Sequence, residues 1–265
     1  MKTHTVVLSL SLFLSNFAGA QDWAKATLEK SPRHREWVKV KSGDREVNCF
    51  VVYPEVKDKA TAVLVIHEIF GLTDWARSAA DELAAAGYIA IAPDLLSGMA
   101  PGGGGTAEIG GNDAAVKAVS SLPPAQVTAD LNAAADYVVK LSSCNGKLAV
   151  AGFCWGGGQS FRYATDNPNL KAAFVFYGPP PPADAMKRID CRVYGFYGGN
   201  DNRISSTIPK TKGEMKQAGK TFDPVTYEGA GHGFMRGGEA PDARAADQAA
   251  REKAWKRWKE LLGKI

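Results

Sequence analysis

Two apolar runs limit what this chain can become. "TAVLVIHEIF" (61–70) is apolar on nearly every residue, and "YIAIAPDL" (88–95) repeats the pattern. Such runs mark strands buried on both faces, and strands of that kind belong to parallel sheets covered by helices. Between them "DWARSAADELAAAG" offers good helix formers and ends on Gly87, a helix with its C-terminal cap. The alternation continues. A helix is expected over "AQVTADLNAAADYVVKL", with Val127, Leu131, Ala134, Val138 and Leu141 on one face. Strand "KLAVAGF", a helix from about Gly156, strands "KAAFVFYG", "RVYGFYGG" and "PVTYEG", and a last helix carrying Trp255, Trp258 and Leu262 follow. Earlier, "REWVKVKSGDREVNCFVVYP" reads as two strands about a turn at Ser42-Gly43-Asp44, an antiparallel edge, behind a short helix from Asp22 to Ser31.

The pattern predicts an α/β fold with a mostly parallel central sheet and helices on both faces. With 265 residues, 45% hydrophobic and 23% charged, the chain has ordinary globular composition and suits one domain, residues 21–265. Ligands of such sheets bind beyond the carboxyl ends of the strands, so the chemistry is expected there.

The first twenty residues, "MKTHTVVLSLSLFLSNFAGA", place Lys2 before an apolar stretch and end on Ala18-Gly19-Ala20. That is the pattern of a cleaved secretory signal, too short and too rich in serine for a spanning helix. The expected mature protein is periplasmic or secreted, starts at Gln21, is monomeric and has no membrane segment. The net charge of +4 comes without a basic recognition stripe, because the C-terminal "REKAWKRWKE" interleaves both signs. No nucleic-acid partner is expected.

"GFCWGGG" carries the strongest chemical signal. It fits Gly-x-nucleophile-x-Gly, with Gly152, Cys154 and Gly156 in place, directly after one expected strand and before a helix. Such a turn holds the thiol out at the sheet edge, where the amides opening the helix can face a developing oxyanion. A nucleophile on this kind of turn is followed along the chain by an acid and then a histidine. Asp201, in "YGGND", lies 47 residues after Cys154, and His232, in "GAGHGF", 31 residues after that, each just past an expected strand. The remaining histidines are His4 in the signal, His34 before the sheet and His67 in an early strand. Glu68 adds a carboxylate at the end of the first parallel strand. A zinc-protease reading fails because Gly71 stands where a second histidine is required. No metal or cofactor is expected.

Two glycine- or proline-rich stretches complete the reading. "SGMAPGGGGTAEIGGND" (97–113) lacks the Gly-Lys-Ser/Thr of a phosphate loop and reads as a flexible loop over the site, and "GPPPPAD" as a stiff connector. Of the four cysteines, Cys144 and Cys191 each precede a strand of the same sheet, and a disulfide between them is expected in an oxidising compartment.

In order and spacing "HEIFG", "APDL", "GFCWGGG", "YGGND" and "GAGHGFMR" resemble the dienelactone hydrolase family, the carboxymethylenebutenolidases, from about residue 37 to the C-terminus. The resemblance implies an α/β-hydrolase fold and a triad of Cys154, His232 and Asp201. It also implies that Glu68 holds the resting thiol and helps to form the thiolate, that the amides of Ile69 and Trp155 make the oxyanion hole, and that Arg236 binds a substrate carboxylate. A second family arginine is missing, since Gly98 stands at its place. The implied activity is hydrolysis of a lactone or small ester. The alternatives are a broad-specificity carboxylesterase and a non-catalytic ligand-binding or thiol redox-sensing protein on the same scaffold.

Overall fold

The computed structural model describes residues 22–265, so the expected signal lies outside the described residues. The elements run α1 (Asp22–Lys30), β1 (Arg35–Ser42), β2 (Arg45–Val52), β3 (Ala60–Ile66), α2 (Asp74–Ala85), β4 (Ile89–Pro93), α3 (Asn112–Ser120), α4 (Pro124–Val139), β5 (Cys144–Phe153), α5 (Trp155–Tyr163) and β6 (Ala172–Phe176). Then come α6 (Ala183–Met186), β7 (Arg192–Gly198), α7 (Asn202–Ser205), α8 (Ile208–Gln217), β8 (Phe222–Tyr227), α9 (Phe234–Gly237) and α10 (Ala245–Leu262).

The strands form one sheet in the order β1-β2-β4-β3-β5-β6-β7-β8. The first two pairings, β1 with β2 and β2 with β4, are antiparallel, and every later one is parallel. Strands β3, β4 and β6 are buried along their whole length, which is why their sequences are continuously apolar. The two-residue period of a strand divides that apolar surface between two cores. Val63 and Val65 pack with Trp75, Leu83, Trp255 and Trp258, under α2 and α10. Ala62, Leu64 and Ile66 pack with Val127, Leu131, Phe161 and Met215, on the side of α4, α5 and α8. Helix α2 starts where Thr73 caps the Ala76 amide, and it gives way to Gly87 at φ +98°, a conformation that favours glycine.

Five features differ from the expectation. Helix α8 buries only Thr211 and Met215, too sparse a stripe to show as periodicity, and α3 follows a glycine run that hides its start. Strand β8 extends through Pro224, which is tolerated because β8 is an edge strand. The 97–113 loop is pinned at its middle: Thr106 donates through N and Oγ1 to the Asp94 carboxylate, both at 2.7 Å, while its Oγ1 accepts from the Leu72 amide at 2.9 Å. Finally, Cys144 and Cys191 are both free thiols. Cys144 opens β5 and Cys191 precedes β7, with β6 between them, so they are about 10 Å apart across the sheet, beyond disulfide reach. The β5–β6–β7 register also offsets them along the strands.

Candidate active site

The site is assembled at the carboxyl edge of the sheet, from the ends of β3, β5, β6, β7 and β8. Cys154 caps α5 with φ 57° and ψ −117°, a strained conformation for a residue with a side chain. Its backbone is held by donation of its own N–H to the Phe176 carbonyl at 3.0 Å and by the Gly158 N–H on its carbonyl at 3.2 Å. Glycines are required on both sides for want of space. A Cβ at Gly152 would collide with the Gly156 carbonyl, and one at Gly156 with the carbonyls of His67 and Ile66. The Gly-x-Cys-x-Gly spacing is the mark of these two close approaches.

Beyond β7, Asp201 is buried and caps the short helix α7. Beyond β8, His232 sits between Gly231 and Gly233. The two turns are tied together: Gly199 N–H donates to Tyr227 O at 2.8 Å and Asn200 N–H to Ala230 O at 2.9 Å. The histidine loop is held from behind by Asp247, which accepts from the Gly231 N–H at 2.8 Å and is paired with Arg244. As a result His232 Nδ1 lies 2.5 Å from Asp201 Oδ2, and Nε2 lies 3.0 Å from Cys154 Sγ. The carboxylate can only accept, so Nδ1 keeps its proton and donates it as a hydrogen bond to Asp201, which leaves Nε2 as the acceptor for the thiol.

Burial and the charge of Glu68 push the Cys154 thiol above its ordinary value, while the amides of Trp155 and Ile69 and the Arg203 guanidinium pull it down. Burial pushes the thiols of Cys49 and Cys191 up to about 12.

Glu68 stands elsewhere than the resemblance implied. It is paired with Arg236, whose Nε donates to Oε2 at 2.7 Å, and Tyr177 donates to Oε1 at 3.4 Å. The thiol faces His232, and the Glu68 charge works against the thiolate. Arg236 is accordingly held on its Nε edge, with its guanidinium 5.5 Å from the Phe70 ring. Tyr177 was not anticipated. It is fully buried at the end of β6 with φ 42°, reaches Glu68 with its hydroxyl and meets the His232 ring edge-on at 5.1 Å. Its place just past a strand at the carboxyl edge was the available signal. Gly98 has open space beside it. It lines a depression of about 490 Å³ with Lys39, Arg45 and Gln126, and none of Cys154, Asp201 and His232 belongs to that lining. Among the described residues no three His, Cys, Asp or Glu side chains are grouped to hold a metal ion, and no helix is long and apolar enough to cross a membrane.

Comparison with known proteins places this geometry in a family. The sequence profile of the dienelactone hydrolase family matches residues 47–265. A candidate carboxymethylenebutenolidase of Methylorubrum extorquens is 33% identical over 210 residues, covering 74% of this chain and 71% of its own. One from Escherichia coli is 33% identical over 220 residues, covering 75% and 74%. Among solved structures, a candidate dienelactone hydrolase from Klebsiella pneumoniae superposes with a TM-score of 0.76 at 28% identity, over 88% of this chain and 99% of that one. The profile match, the relatives and the shared α/β-hydrolase fold lead to one conclusion: the chain belongs to the dienelactone hydrolase family and is a hydrolase of the carboxylic-ester class.

Proposed function

We propose that this protein hydrolyses lactones or small carboxylic esters through covalent catalysis at Cys154. The observation that carries the reading is the hydrogen-bonded chain Cys154–His232–Asp201, at 3.0 and 2.5 Å, on a strained turn at the sheet's carboxyl edge. The thiol proton passes to His232 Nε2 as Sγ attacks the acyl carbon, and Asp201 stabilises the imidazolium. The amides of Ile69 and Trp155 receive the oxyanion. His232 gives the proton to the leaving alkoxide, then takes one from water as the hydroxide attacks the thioester carbon; the C–S bond breaks, the acid departs, and His232 returns its proton to the Cys154 thiolate. Protein groups and water account for every step.

Arg236, held by Glu68 through Nε, is the proposed anchor for a substrate carboxylate, because a guanidinium fixed on one edge presents its outer nitrogens in a set orientation. A second reading, a carboxylesterase of broad specificity, is favoured by the charge of Glu68, which already occupies one edge of Arg236, and by the glycine that stands at the place of a second arginine. The segment 1–20 supports export to the periplasm or beyond.

The test is the initial rate on a dienelactone beside a neutral aryl ester, with Cys154→Ala as control. Preference for the dienelactone with an inactive variant supports the first reading. Turnover of the neutral ester alone supports the second, and an active Cys154→Ala variant overturns both.

A further inference from the structure

His67 directly follows β3 and is fully buried. Its Nδ1 lies 2.7 Å from the Glu68 carbonyl oxygen. A carbonyl only accepts, so Nδ1 carries the proton, and burial keeps the ring neutral. Nε2 is then a bare acceptor, and no hydrogen-bond partner reaches it in the described structure. An unpartnered buried polar atom is unfavourable, and an apolar ring of similar size would fill the space without it. The histidine therefore calls for a reason other than packing.

Two contacts supply one. The ring stacks on Trp155, with centroids 5.6 Å apart and planes 15° from parallel. Its N–H holds the peptide group that joins Glu68 to Ile69. No peptide bond among the described residues is cis, so the carbonyl of Glu68 and the N–H of Ile69 point in opposite directions from one rigid plane. That carbonyl oxygen accepts from His67 Nδ1 and from the Gly71 N–H at 3.2 Å. Fixing the oxygen aims the Ile69 N–H, which together with the Trp155 N–H acts on the Cys154 sulfur.

We propose that His67 is a positioning residue of the oxyanion hole: one hydrogen bond aims the Ile69 amide and one stacking contact seats Trp155. This rests on the reading of Cys154 as nucleophile given above. The histidine touches no reacting atom and acts through two backbone donors.

The test compares His67→Phe, which keeps a stacked ring but loses the donor, with His67→Asn, which returns an amide N–H near the place of Nδ1. Three quantities are read: kcat and KM on an aryl ester, the rate of Cys154 alkylation by iodoacetamide, and the melting temperature. Alkylation reports on the thiol and builds no oxyanion. For His67→Phe the expected result is a kcat about 10- to 100-fold lower, with KM and the limiting high-pH alkylation rate within about twofold, an alkylation midpoint that rises because the Ile69 amide no longer draws the thiol down, and no loss of melting temperature; His67→Asn recovers part of kcat. A His67→Phe variant with wild-type kcat overturns the proposal, as does a parallel fall in kcat and in the limiting alkylation rate. If His67→Phe does not fold, His67→Met is read against His67→Asn, and equal rates in those two overturn it. Failure of the nucleophile reading is distinguished by the wild type itself, through absence of alkylation at Cys154 or activity in Cys154→Ala.

Discussion

Arg236 and Glu68 are joined at 2.7 Å across 168 residues of chain, and the pairing turns the carboxylate's hydrogen bonding away from Cys154. The charge of Glu68 still reaches the thiol and raises its pKa. Glu68→Gln removes that charge, so the pH midpoint for alkylation of Cys154 by iodoacetamide, raised in the wild type by burial and by Glu68, is expected to fall. A midpoint that stays or rises would show that Glu68 assists the thiolate in the resting enzyme.

Asp201→Asn leaves the shape of the site but favours the wrong tautomer of His232. The expected loss in kcat is about 10³- to 10⁴-fold with little change in KM, read from steady-state kinetics on an aryl ester. A loss below about tenfold would remove Asp201 from the proton path.

Arg236→Ala should raise KM for carboxylate-bearing esters at least about tenfold more than for neutral ones, since it removes the cation proposed to hold the carboxylate. It also leaves Glu68 buried without its partner. The expected cost is about 1–3 kcal/mol in urea denaturation, below that of a fully buried pair because a third of the Arg236 side chain faces solvent. Equal KM changes for both ester classes would assign the arginine to stability alone.

Thiol titration of the denatured, unreduced mature protein should return four free cysteines, whatever compartment it is taken from. Two missing thiols would require Cys144 and Cys191, or another pair, to meet in a different arrangement of the sheet.

Much of this molecule was readable before its structure, for reasons that differ from residue to residue. Strands β3, β4 and β6 are legible because burial on both faces leaves them apolar at every position but Thr61. Gly152 and Gly156 mark the elbow because nothing larger fits beside the facing carbonyls. Chain order and position after strands single out Asp201 and His232, and the structure brings both into one hydrogen-bonded chain with Cys154. Tyr177 and the choice of partner by Glu68 were not legible, because both depend on how loops from distant parts of the chain meet. His67 looked like one more core residue for the same reason, since its role lies in the orientation of a peptide plane. The expected Cys144–Cys191 bond failed because sharing a sheet says nothing about which strand lies between.

The sheet order has a consequence for how the enzyme would lose its activity. His232 hangs from β8, which is paired on one side only and has polar or half-buried residues along most of its length. Cys154 hangs from β5, enclosed between β3 and β6. Edge elements open at lower free energy than the centre of a sheet, so fraying of β8 can withdraw His232, the proposed base, while Cys154, the proposed nucleophile, and both cores remain intact. The catalytic lifetime of a warmed sample would then be set by the outermost strand, and inactivation would precede the loss of the fold.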